Sequence, residues 1–335
     1  MENRHSEYDV LRAFAALMIV VNHIVQGFGI SVNLGYYLSG TFVYVFLLLS
    51  AYLLGIRGKN IIIEGNSNSY LQKRVKRILP VYYPFLLISF LVIILAGWSL
   101  NWKQVIGHLT FLNWFWMDSR IDKSPLPQMG HLWFMTCIML GYLSVYFVGF
   151  FKSFRKSLDN NNCLCVYFLL FAILFSFILS HTGKMEQLGV STVIFVIIFY
   201  RGKDIFSFCD RLPSSIIYSL FFLVNIIAVF LYYNGLWDVK WLKIWINLLA
   251  AFSWMVIIPR FFRGKHIGKS VLYLSTISFE IYLVHHPFCL GAYSINNFFP
   301  DQYYISIPLV LLITFVLAVA LNQIGRVANK WMERF

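Results

Sequence analysis

Charge is scarce in this chain. Only 12% of its 335 residues are Asp, Glu, Lys or Arg, against about 25% in soluble domains. That shortage excludes an ordinary water-soluble globule. Acid is the scarcer sign, with 14 Asp and Glu against 27 Lys and Arg, for a net charge of +13. Polar stretches long enough for a second, soluble domain are missing, so residues 1–335 read as a single domain. The five cysteines (Cys137, Cys163, Cys165, Cys209, Cys289) are scattered and odd in number. Cys163 and Cys165 are two apart, which is neither a zinc nor a redox spacing, and all five read as apolar filler. HExxH, Walker A, GxGxxG and GxSxG elements are absent, and no acidic pair suggests a metal. Zinc-peptidase, P-loop, dinucleotide-binding and serine-hydrolase chemistries are thereby excluded, and no metal cofactor is expected. Internal repeats and low-complexity tracts are also absent. The first apolar run follows Glu2, Arg4, His5, Glu7, Asp9 and Arg12 and lacks a small-residue cleavage site. It is expected to stay as the first span rather than to be removed.

What is there is apolar. Hydrophobic residues make up 59% of the chain and aromatics 19%, with a mean hydropathy of +0.71. A helical span needs about 20 mainly apolar residues. The sequence predicts ten: 10–29, 36–56, 78–98, 131–151, 163–181, 187–200, 213–233, 241–262, 271–291 and 303–324. The expected fold is therefore an all-α polytopic membrane bundle. The sixth run is short. The stretch 104–117 is too short to span and is expected at the interface, where Trp114 and Trp116 suit the headgroup level. With the N-terminus inside, 21 of the 27 lysines and arginines fall on inner loops and 6 on outer ones. This asymmetry predicts both termini cytoplasmic. It also accounts for the positive charge through topology and membrane lipids, without nucleic acid.

The chemistry-bearing residues are the costly ones. His23 lies within the first apolar run, with ten residues between it and Arg12. Eleven helical steps return to nearly the same face after about 16 Å. Arg12 would then stand at the cytoplasmic surface, either as an anchor paired with Asp9 or as a phosphate or carboxylate holder. His23 would stand near mid-membrane, as a base or as an interhelical hydrogen-bonding group. Lys73, Arg74, Lys76 and Arg77 form a basic cluster just before the third span, either a topology anchor or a phosphate-binding patch. His131 and Trp133 follow a long outer loop, about 99–130, and suit an acceptor side or an aromatic belt. Glu280 lies at a depth comparable to His23 and is a candidate to orient it. His285 and His286 lie further outward and, on a continuous helix, would point about 100° apart.

Taken in order, these segments resemble a known family. Arg12-x10-His23 after Tyr8-Asp9-Val10-Leu11, the Phe46-to-Leu54 segment with Ser50, Lys73-Arg74-x2-Arg77-Ile78-Leu79-Pro80-x-Tyr82, His131-x-Trp133 and Ser278-to-Pro287 together resemble the membrane-integral Acyltransferase 3 family. The resemblance covers nearly the whole chain. It implies transfer of an acyl group, usually acetyl from cytoplasmic acetyl-CoA, to a hydroxyl of a glycan or lipid-linked sugar outside the bacterial cytoplasmic (inner) membrane. It further implies His23 as the catalytic histidine with Arg12 as its partner, and Glu280 is added to them from its depth as a candidate orienting residue. Lys73, Arg74, Arg77 and Tyr82 would serve acetyl-CoA. His131, Trp133, Ser50, Tyr282, His285 and His286 would serve the acceptor. Two features depart from the family pattern. Trp133 is followed by Phe134-Met135-Thr136-Cys137-Ile138 with no acid, and Ser50-Ala51-Tyr52 replaces Ser-Gly-Phe. The first of them looks like the shorter subgroup that acetylates surface polysaccharides and enterobacterial-type glycans. A transporter or flippase for a lipid-linked saccharide, and a non-catalytic part of a polysaccharide export complex, are the alternative readings.

Overall fold

The computed structural model describes residues 6–97, 100–113, 127–151, 167, 169–174, 178, 184–235, 239–291 and 293–332. Among these the regular structure is helical. The helices are α1 (Ser6–Gly27), α2 (Val32–Ile63), α3 (Ser67–Leu95), α4 (Trp102–Leu109), a 3-10 turn (Pro127–Leu132), α5 (Trp133–Phe150), α6 (Lys184–Arg211), α7 (Ser214–Tyr233) and α8 (Lys240–Phe262). The chain continues with α9 (Lys269–Thr276), α10 (Ser278–Val284), α11 (His286–Cys289) and α12 (Tyr303–Met332).

Among the described residues, seven helices are long and apolar enough to cross a membrane: α1, α2, α3, the turn plus α5, α7, α8 and α12. They coincide with seven of the ten runs expected from hydropathy. Of the run 163–181 only residues 167, 169–174 and 178 are described, and residues 99 and 114–126 of the 99–130 loop lie outside the described residues. The short sixth run sits within α6, a 28-residue helix whose last third is polar, with Arg201, Lys203, Asp204, Asp210 and Arg211. The ninth run, 271–291, differs from expectation. It forms three short helices in place of one span. The second interruption falls beside Pro287, which has no N–H to donate back to the Leu283 carbonyl and whose ring disfavours a continuing helix. Of the stretch 104–117, residues 114–117, with Trp114 and Trp116, lie outside the described residues. Its described part holds most of the eight-residue α4, which is capped by the Asn101 side chain and ends near Phe111 at a positive φ of 59°.

The helices fall into two compact units. The first comprises Met1–Ala15, Tyr36–Gln72 and Cys137–Ser275. Its helices approach closely where side chains are small: a methyl group at Gly55 would lie 2.2 Å from the Phe199 carbonyl oxygen, the close approach that small residues allow between apolar helices. Arg260 of α8 caps the end of α6, donating to the Cys209 carbonyl (3.3 Å) and the Leu212 carbonyl (2.9 Å). Beside it Arg263 pairs with Asp210 at 2.7 Å.

The second unit comprises Ala16–Gly35, Lys73–Thr136 and Thr276–Phe335. Here α10 packs along α12. Gly325 of α12 lies against α3, with no room for a methyl group, which would come 2.6 Å from Val81. Gly27, at the end of α1, lies against α11. A methyl group there would fall 1.9 Å from the Cys289 carbonyl oxygen. That approach brings the last turns of α1 onto the broken ninth segment.

Candidate active site

Four of the chain's eight histidines come together within the second unit. His23 comes from α1, His131 from the 3-10 turn, and His285 and His286 from the break between α10 and α11. The His23 ring lies 4.9 Å from that of His285 and 4.7 Å from that of His286, centroid to centroid. His131 stacks on His286 at 4.6 Å, with its plane 17° from parallel. A continuous helix would have sent His285 and His286 in diverging directions. His285 keeps helical backbone angles (φ −69°, ψ −37°), and both rings nevertheless lie beside that of His23.

Backbone carbonyls hold the rings. His131 Nε2 lies 3.1 Å from the Leu283 carbonyl oxygen, the acceptor that Pro287 cannot serve. Tyr282 in turn donates its hydroxyl to the His131 carbonyl. His285 Nδ1 lies 3.0 Å from the Ile281 carbonyl, and its Nε2 lies 2.9 Å from His23 Nδ1. His23 Nδ1 also lies 3.0 Å from the Ile19 carbonyl. Exposure separates the four. His131, His285 and His286 are buried, at 5%, 0% and 7% exposed, while His23 is half-buried and keeps some accessible surface. Among the described residues, no three His, Cys, Asp or Glu side chains are arranged to hold a metal ion.

Glu280 lies on α10, buried, and accepts a 2.6 Å hydrogen bond from Asn322 of α12 at Oε1. The positive charges of Arg77 on α3 and Arg326 on α12 act on its carboxylate. Arg77 and Lys73 are exposed and Arg74 is half-buried. Tyr82 is fully buried. It donates to the His108 carbonyl at 3.1 Å and stacks on Phe111 at 4.7 Å. Trp133 opens α5 and packs against Phe134 at 6.2 Å.

Arg12 belongs to the first unit. Its Nη1 lies 3.2 Å from Asp9 Oδ1 and 3.3 Å from Ser275 Oγ, and the Ser275 hydroxyl donates to the same Asp9 oxygen at 2.8 Å. The pairing with Asp9 is the one expected from their i,i+3 spacing. Ser275, 263 residues away, was out of reach of any local pattern. Ser50 also lies in the first unit, half-buried on α2. Asn322 and Arg326 were likewise missed, since nothing in the run 303–324 ties them to Glu280. The close contact of His285 with His23 had one available signal, the helix-breaking Pro287 two residues after it.

The chain was compared with known families, with curated proteins and with solved structures. Residues 5–323 match a family described as "Acyltransferase domain", the Acyltransferase 3 family. None of the curated proteins or solved structures matches. Seven apolar helices together with this family identify a multi-pass membrane protein with an acyltransferase domain. Since the match spans nearly the whole chain, the protein belongs to the Acyltransferase 3 family.

Proposed function

We propose that the protein is an O-acetyltransferase of the bacterial cytoplasmic membrane. It moves acetyl from cytoplasmic acetyl-CoA to a hydroxyl of an extracytoplasmic glycan or lipid-linked sugar, such as a surface polysaccharide. The observation that carries this reading is His23, the one half-buried ring in a cluster of otherwise buried histidines, within a chain that belongs to an acyltransferase family. An imidazole so placed is suited to take a proton from a hydroxyl as that oxygen attacks the thioester carbon. The C–S bond breaks, the CoA thiolate leaves, and the proton on His23 passes to it. No metal is needed for this chemistry.

The donor's phosphates suit the basic residues at the start of α3. Lys73 and Arg77 are exposed there, and Arg74 shares a helix face with Arg77 at three-residue spacing. Arg12 is the further cation assigned to the donor, held in place by Asp9. Guanidinium groups match phosphate oxygens in pairs. His131, with Trp133 beside it, is assigned to the acceptor.

The test is radiolabelled acetyl-CoA supplied to inside-out vesicles, followed by recovery of label in glycan or lipid-linked sugar. Wild-type vesicles should transfer label, and His23→Ala vesicles with normal protein levels should not. Transfer at the wild-type rate without His23 would remove it from the mechanism. Sugar movement without acetyl-CoA consumption would point to a flippase instead.

A further inference from the structure

The three hydrogen-bonding distances around His285 and His23 assign the protons on both rings. A carbonyl oxygen only accepts. His285 Nδ1, 3.0 Å from the Ile281 carbonyl, therefore carries the hydrogen. In a neutral imidazole the other nitrogen is then a bare lone pair. That nitrogen, His285 Nε2, lies 2.9 Å from His23 Nδ1. His23 Nδ1 thus stands between two acceptors, the His285 lone pair and the Ile19 carbonyl at 3.0 Å. A nitrogen in that position donates, so the single proton of neutral His23 sits on Nδ1. The lone pair that remains is on Nε2.

We infer that His285 is the positioning residue of the site. It selects the Nδ1–H form of His23 and fixes the ring, so that Nε2 is the atom that receives the acceptor's proton. This rests on the reading of His23 as the reacting base. The Ile19 carbonyl alone is a weaker guide, because it also belongs to the hydrogen-bond ladder of α1. When Nε2 of His23 takes the proton, the ring becomes an imidazolium. Its Nδ1–H bond to His285 then becomes charge-assisted and strengthens at the moment it is needed. The same ordering of a base by a third group operates in Ser-His-Asp sites, where a carboxylate fills this position. Here a neutral, fully buried imidazole fills it, which avoids placing a net negative charge in an apolar surrounding. A nucleophilic route would use the same Nε2 lone pair. Burial explains why His285 itself is not the base: it exposes no surface to a substrate, and its two nitrogens are occupied by Ile281 and His23.

Two substitutions separate positioning from packing. His285→Phe keeps a ring of similar size but removes the acceptor nitrogen. His285→Gln places a side-chain carbonyl oxygen near the lost Nε2. In the full-length protein in bilayers, His285→Phe should lower kcat for acetyl transfer by about 100-fold while leaving KM for acetyl-CoA within about twofold. His285→Gln should recover most of that loss. Nitrogen-15 NMR of histidine-labelled protein, with the His23 signals identified by their loss in His23→Asn, should show Nδ1 protonated and Nε2 bare. His285→Phe should mix the two forms. A wild-type kcat in His285→Phe, or a wild-type spectrum with the His23 proton on Nε2, overturns the inference. If vesicles transfer no acetyl group at all, the proposed reaction fails, and the spectrum still decides the proton's place.

Discussion

His131 donates to the Leu283 carbonyl at 3.1 Å, filling the place left by a proline four residues further on. In an unbroken helix that carbonyl would accept from the N–H of residue 287. Pro287 has none, so the carbonyl is open to a side chain from the 3-10 turn before α5. A missing N–H thus leaves an acceptor that holds a fourth histidine beside His23, His285 and His286.

Pro287→Ala restores the missing donor. The Leu283 carbonyl can then be served from within the helix, in competition with His131. Closing that helical bond would loosen the hold on His131 and shift the turn that carries His286. Thermal stability should hold or rise, because a helix-interrupting proline is removed. Acyl transfer should fall by about 100-fold, the scale expected for small misplacement of reacting groups. Activity at the wild-type level would show that the break is not needed.

Gly27 and Gly29 make a matched pair of opposite predictions. A methyl group at Gly27 would stand 1.9 Å from the Cys289 carbonyl oxygen, so Gly27→Ala must push α1 and α11 apart. It should cost about 1–3 kcal/mol, as overpacking does, and reduce transfer with it. Gly29 has a φ of +67°, and a methyl group there would meet no neighbouring side chain or packed segment within 4 Å. Gly29→Ala should cost about 1 kcal/mol through backbone strain alone and spare activity. Thermal unfolding with transfer assays on both variants checks the contrast.

The Glu280–Asn322 hydrogen bond predicts an asymmetry. Asn322→Leu removes the donor at 2.6 Å from a buried carboxylate and should destabilise the protein by about 2 kcal/mol. Glu280→Gln retains a carbonyl oxygen for Asn322 and should change stability by no more than about 1 kcal/mol. Since His285 occupies the ring nitrogen of His23 that an orienting group would use, Glu280→Gln should lower kcat less than His285→Phe does. The reverse order would give the orienting role to Glu280.

His108 supplies a pH prediction. It is buried on α4, outside the candidate spans, and its Nδ1 has no hydrogen-bond partner among the described residues. Burial pushes its pKa down to about 4. The unfolded chain binds a proton near the ordinary histidine value of about 6.5, where the folded protein does not. The stability that His108 contributes as a neutral ring is therefore whole above about pH 6.5 and is lost as pH falls toward 4. His108→Gln should flatten that part of the stability profile. Parallel wild-type and variant curves between pH 7 and 4 would exclude the effect.

Much of the fold was legible because membrane spans announce themselves by length and composition. Seven of the ten expected runs appear as long apolar helices, and the one of the three others that changed character, 271–291, carries a proline. Hydropathy averages over a window, so a run with one break scores like a run with none. Proline alone does not mark it either, since Pro80, Pro84, Pro259 and Pro308 lie inside unbroken helices, and the effect of Pro287 depends on who serves the freed carbonyl. The candidate site was legible in part for a similar reason. A histidine inside an apolar run is costly wherever it ends up, so His23, His131, His285 and His286 stood out one by one. Their assembly did not. His23 and His285 are 262 positions apart, and no periodicity spans that distance.

By itself, the sequence determined the class of protein, the course of its longest helices and the identity of its ionisable groups, because burial of apolar surface and the cost of buried charge are properties of local composition. Tertiary structure alone decided which group serves which. It set His285 against His23 and Asn322 against Glu280, and it joined Ser275 to the Asp9–Arg12 pair. Those pairings follow from close approaches such as Gly27 against Cys289. A hydrogen bond is a matter of tenths of an ångström between chemically permissive partners, and only the packed helices set distances that finely.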